Sequence, residues 1–237
     1  MHEGLGSVSM WRDFPDQLCA ATGCRGLVFS RPGYGRSTAR EPGERWGADF
    51  MHRQAHEMLP ALFAAVGLDP VATPPWLFGH SDGGSIALLH AAQESRAGSL
   101  ARVVRVAGAI VVAPHIFVEE VAITSIEAAR QAYLEGGLRQ ALSRHHDDPD
   151  SAFWGWNDAW LAPSFRGWSI ESELAAITCP LLAVQGLDDE YGSLAQIRGI
   201  AQRLPHTHLL ELAECGHSPH RDQPGRLIAG VANFMAA

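Results

Sequence analysis

Not one lysine occurs in the 237 residues, so all 18 cationic side chains are arginine, against 26 Asp and Glu. Coding bias explains that choice better than chemistry does. The net charge of −8 and the lack of any basic run argue against a nucleic-acid partner. Cysteine is scarce. Cys19, Cys24, Cys179 and Cys215 stand at no zinc-ligating spacing and read as buried free thiols. No stretch reaches the roughly 20 apolar residues of a membrane span, and no secretory leader is visible. There are no internal repeats or low-complexity tracts. No motif points to nicotinamide, flavin or metal, so no cofactor is expected. His52 and His56 are spaced four apart on a helix but have no third ligand. These absences leave a cytoplasmic globular enzyme with a small-molecule substrate, no membrane partner, and enough chain for one sizeable core.

Apolar strand patterns at 26–30, 75–79, 107–113, 181–186 and 208–212 alternate with helical ones, as in βαβ units. A helix over 48–66 turns Phe50, Met51, Met58, Leu62, Phe63 and Val66 inward, and Pro60 should kink it. Further helices are expected near 193–204 and 224–236. The segment from Pro114 to Ile177 breaks the alternation. It is far longer than an ordinary βα connection, reads as helical, and carries Phe153, Trp154, Trp156, Trp160, Phe165 and Trp168. His145-His146-Asp147-Asp148 within it reads as a solvated loop.

Gly79-His80-Ser81-Asp82-Gly83-Gly84 lies between the apolar Trp76-Leu77-Phe78 and a helical run through Ile86, Leu88 and Leu89. This is G-x-S-x-G at a strand-to-helix corner. Such a turn forces the serine into a sparsely populated conformation and leaves no space for side chains at the flanking glycines. It also sets Ser81 at a helix N-terminus, where free N–H groups favour a developing oxyanion.

An activated serine needs a base, and the base an orienting acid. Two strand ends downstream supply them. Leu181–Gly186 is followed by Leu187-Asp188-Asp189-Glu190, and Leu209–Leu212 by Cys215-Gly216-His217-Ser218-Pro219-His220. Both clusters fall at the sheet edge that carries Ser81, where open α/β sheets place their sites.

In these motifs and their order the chain resembles the α/β-hydrolase fold family over nearly its whole length. The resemblance implies an α/β fold with a mostly parallel, doubly wound sheet. Residues 1–113 and 178–237 would form the core, and 114–177 a helical cap. It implies a triad of Ser81, Asp189 and His217, with Asp188 and His220 as runners-up, and a serine nucleophile disfavours dehalogenase chemistry. His2-Glu3-Gly4-Leu5-Gly6-Ser7 resembles the family's oxyanion loop. Gly4, or else Leu5, would then donate beside the N–H of Asp82. Arg31-Pro32-Gly33-Tyr34-Gly35-Arg36-Ser37 resembles the Gly-rich turn after the fourth strand.

Measured against that family the chain lacks three early strands, one of them interior to the sheet, and the expectation is a start set too late. Asp82 either complements its helix dipole or holds a cationic substrate group, as the same elbow does in similar hydrolases of amino-acid esters. Arg166 would instead suit a carboxylate, as in carbon–carbon bond hydrolases of ring-cleavage products. Trp154, Trp156 and Trp160 are the candidate pocket lining. The expected reaction is hydrolysis of a small-molecule ester through an acyl-enzyme, with a non-catalytic receptor or inactive chain as the competing class.

Overall fold

The structure is a computed structural model that describes residues 1–41, 43–101 and 105–237, the side chains of 99–101 excepted. Four parallel strands, β1 (Trp76–His80), β2 (Gly108–Val112), β3 (Leu181–Gly186) and β4 (Thr207–Leu212), lie side by side in chain order. Strands covered on both faces read as continuous apolar runs, and every residue of β2 and β3 is buried. Alternate residues supply the two faces. Ala109, Val111, Leu181 and Ala183 pack with Ile86, Leu89, Ile197 and Ile200. Ile110, Val112, Leu182 and Val184 pack with Phe14, Leu227 and Val231. The sheet is therefore doubly wound.

The helices of the described residues are α1 (Phe14–Thr22), α2 (Phe50–Arg53), α3 (Leu59–Ala65), α4 (Asp82–Ala101), α5 (Glu120–Glu135) and α6 (Leu138–Leu142). They continue with α7 (Pro149–Leu161), α8 (Glu171–Leu174), α9 (Ala195–Arg203), α10 (Pro219–Asp222) and α11 (Pro224–Ala236). The single helix expected over 48–66 is interrupted by a π-helical turn at Gln54–Met58. Pro60 lies two residues beyond it; its ring crowds the carbonyl four residues back, at His56, and a wider turn relieves the clash. Val66, expected to face inward, is 50% exposed because the helix ends before it.

The strand expected at 26–30 does not form. Residues 24–30 join no ladder, and Leu27 and Val28 are exposed. A strand exists through its backbone partners, and none flanks this segment among the described residues. β1 is instead the edge strand. Met1 meets its outer side, donating from its nitrogen to the Phe78 carbonyl at 2.6 Å and accepting from the His80 N–H at 3.1 Å. The cysteines are unpaired, but Cys24 is exposed and Cys19 only half-buried, since both sit where α1 runs out to the surface.

The segment between β2 and β3 is helical, carrying α5 to α8. Its aromatics form a packed cluster. Tyr133 stacks on Phe153 at 3.7 Å, Phe165 on Trp168 at 5.1 Å, and Trp160 lies 4.9 Å from Phe165. In the 145–148 loop Asp147 and Asp148 are exposed as expected, but His146 is not. His146 is buried; its Nδ1 accepts from the Gly35 N–H and its Nε2 donates to the Leu5 carbonyl, both at 2.9 Å. Each partner lies more than 100 positions away, which is why local sequence gave no sign of it.

Candidate active site

Ser81 closes the turn between β1 and α4 with φ of 53°, in the left-handed region that non-glycine residues rarely occupy. Its N–H donates to the Val112 carbonyl at 2.9 Å, and its carbonyl accepts from the N–H groups of Gly84 and Ser85. The flanking glycines follow from space. A Cβ on Gly79 would stand 2.0 Å from the Gly83 carbonyl oxygen, and one on Gly83 2.5 Å from that of Met1. The turn is affordable only because its surroundings hold it in place.

β3 and β4 deliver the acid and the base to the same edge. His217 Nδ1 lies 2.8 Å from Asp189 Oδ1. Asp189 also accepts from the N–H groups of Tyr191 (2.8 Å) and Gly192 (3.3 Å), and from Gln185 Nε2 (3.0 Å). Burial pushes its carboxyl upward. The bond and charge of His217 and the Tyr191 N–H outweigh that, and the net direction is down. The neighbour Asp188 is exposed and does not approach His217. His220 meets no acid and packs instead against Trp11 and His80. Tyr191 and His115 flank the His217 ring, at 4.7 and 6.0 Å between centroids. Burial drives His115 and His220 down to about 3, so both rings are neutral. Ser81 and His217 are both nearly buried, and no hydrogen bond joins them in this structure.

On the other side of Ser81 lies the 2–7 loop. The N–H groups of Gly4, Leu5 and Asp82 have no hydrogen-bond partner among the described residues. A Cβ on Gly4 would fall inside the indole of Trp156, so that ring covers the loop. Asp82 is fully buried. Trp160 Nε1 donates to its Oδ1 at 3.1 Å, and Arg31 Nη2 stands 3.7 Å from its Oδ2. Burial raises its carboxyl, against the opposing pull of Arg31 and Trp160. Arg31 is equally buried, lies over the Tyr34 ring at 4.6 Å, and donates to the Glu3 carbonyl. An arginine therefore already faces the Asp82 carboxylate, a partner that its single sequence position did not announce.

Trp154 stays within the α5–α8 segment, edge-on to Phe153 and beneath Arg130. Arg166 is on the outer surface, paired with Glu120 at 2.6 Å, and is not brought to Ser81. Three further residues take parts that the sequence did not assign them, Glu190 having competed there only as an alternative acid to Asp189. Gln185 holds Asp189. Glu190 Oε2 accepts from the His217 N–H at 3.1 Å, and His80 Nε2 lies 2.6 Å from the His217 carbonyl. All three adjoin residues that motif reading selected, which is the signal that could have found them.

No curated protein matches the sequence. Among solved structures, VinJ is similar with a TM-score of 0.72 and 21% identity, over 99% of this chain and 88% of that one. A thermophilic esterase from Thermogutta terrifontis gives 0.69 and 19%, over 99% and 87%. The proline iminopeptidase of Mycobacterium smegmatis gives 0.71 and 17%, over 100% and 87%. At such identities the likeness speaks for the fold. The model of the Alpha/beta hydrolase family matches residues 2–231. A doubly wound parallel sheet, the strand-end residues and a match over nearly the whole length agree, and the chain belongs to the alpha/beta hydrolase family.

Proposed function

We propose that this protein is a serine hydrolase that cleaves a small-molecule ester through an acyl-enzyme. One observation carries the reading: the 2.8 Å contact of His217 with the buried Asp189 stands at the same sheet edge as the strained Ser81. Ser81 Oγ attacks the carbonyl carbon and passes its proton to His217 Nε2, the nitrogen left free when Nδ1 faces Asp189. Asp189 fixes the tautomer and offsets the charge that forms on the ring. The N–H groups of Asp82 and Gly4 donate hydrogen bonds to the oxyanion. Collapse breaks the bond to the leaving oxygen, which takes the proton from Nε2. Water then repeats the sequence and frees the acid.

Trp156 and Trp160 form the pocket wall in this reading, since one covers the oxyanion loop and the other contacts Asp82. Asp82 does not anchor a cationic substrate, because Arg31 and Trp160 already engage its carboxylate. Labelling with a fluorophosphonate probe tests the core of the proposal. Wild type should label and Ser81→Ala should not, with ester turnover lower by about 10⁴-fold or more. A labelled Ser81→Ala protein would rule Ser81 out as nucleophile.

A further inference from the structure

His80, the neighbour of Ser81 in the chain, lies between the loop of His217 and the loop of Glu3. The ring is buried, with the Trp11 ring 6.3 Å away and that of His220 at 4.9 Å. Its Nε2 is 2.6 Å from the His217 carbonyl, which can only accept, so Nε2 carries the proton. Its Nδ1 makes no hydrogen bond; it stands 3.5 Å from Glu3 Oε2, a contact that attracts when that nitrogen also carries a proton, and Glu3 directly precedes Gly4. The other side of the His217 backbone is held as well, by the bond from its N–H to Glu190.

We propose that His80 is a positioning residue that sets the loop of the base against the loop of the oxyanion donors. A histidine needed only to fill space would not carry a hydrogen bond to one loop and a carboxylate neighbour from another. Here the two nitrogens reach the two loops whose separation must match the reacting carbonyl. Displacement of either loop by about 1 Å would cost on the order of 10²-fold in rate. The inference rests on the catalytic reading above, because it assigns His80 a part in aligning that same site.

Three substitutions separate alignment from packing. A glutamine amide nitrogen falls close to the position of Nε2, an asparagine nitrogen close to that of Nδ1, and phenylalanine keeps only the ring. With a p-nitrophenyl ester, His80→Asn and His80→Phe should lower kcat by about 10²-fold with KM changed less than about twofold. His80→Gln should stay within about fivefold of wild type. Equal kcat in all three, or a loss confined to KM, would overturn the proposal. Glu3→Gln leaves the ring in place and serves if the His80 variants do not fold. It should slow fluorophosphonate labelling about fivefold, and an unchanged rate would also overturn the proposal. Failure of the underlying reading looks different, since wild type itself would then neither label nor turn over.

Discussion

Two buried aspartates flank Ser81, and their surroundings drive them in opposite directions. On the base side, Asp189 accepts from Tyr191, Gly192 and Gln185 besides His217, and its carboxyl is held below the ordinary range. On the oxyanion side, Asp82 has one hydrogen bond and an arginine 3.7 Å away, and burial wins. Around it Asp82 Oδ2, Arg31 Nε and Nη1, and the Tyr34 hydroxyl are buried without hydrogen-bond partners. The same residue type is thus a satisfied network on one side and an under-satisfied ion pair on the other. A fully bonded buried carboxylate gives a fixed geometry at small net cost, whereas a pair with orphaned atoms carries its desolvation largely uncompensated.

Substitution should expose that contrast. The largest effect is expected for Asp189→Asn, which keeps the shape but presents a donor where His217 needs an acceptor. It should lower kcat by about 10⁴-fold with little change in melting temperature; a loss below tenfold would show that His217 needs no acid. Asp82→Asn should act the other way, on stability more than on rate. It leaves the Arg31 guanidinium buried without its counter-charge, at a cost of about 3 kcal/mol in urea unfolding. Adding Arg31→Met should recover part of that loss, and strictly additive losses would show that the two side chains are not coupled.

The third effect is smaller and concerns pH. His115 and His220, driven down to about 3 by burial, stay neutral when folded but take up protons in the unfolded chain below about pH 6.5. The unfolded state then binds more protons. Their contribution is complete above that pH and is lost as the pH falls from about 6.5 toward 3, at about 1.4 kcal/mol per pH unit for each ring. Urea midpoints at pH 7 and 5 should differ accordingly, and His220→Phe should flatten the difference. A slope unchanged by that substitution would show that His220 is not kept neutral.

The triad candidates were legible because each lies within a few residues of a strand end, and strand, turn and polar cluster all leave local marks. Ser81, Asp189 and His217 needed no knowledge of what lay across the molecule. Arg31, His80 and His146 act through partners that are distant in the chain, and nothing in their own neighbourhoods announces those partners. Residues 26–30 failed for a related reason. Val28 and Phe29 favour an extended chain, but a strand is a pairwise object, and propensity says nothing about whether a neighbour is there. The π-helical turn was half visible, since Pro60 marked the disturbance but not its form. Trp154 and Trp156 stand two apart on α7, yet one packs on Phe153 and the other covers Gly4. Only packing separates them.

β2 and β3 are neighbours in the sheet, paired from Ala109 with Leu181 to Val112 with Val184. Everything from α5 to α8 is therefore an excursion between two strands already zipped together, and no rung of the ladder depends on its length. Lengthening such an excursion is inexpensive, about 0.6 kcal/mol for each doubling. Selection can therefore rewrite the roof over Ser81 by insertion, deletion or shuffling of helices without renegotiating the floor. What this chain hydrolyses and how its sheet folds are in that sense separately heritable.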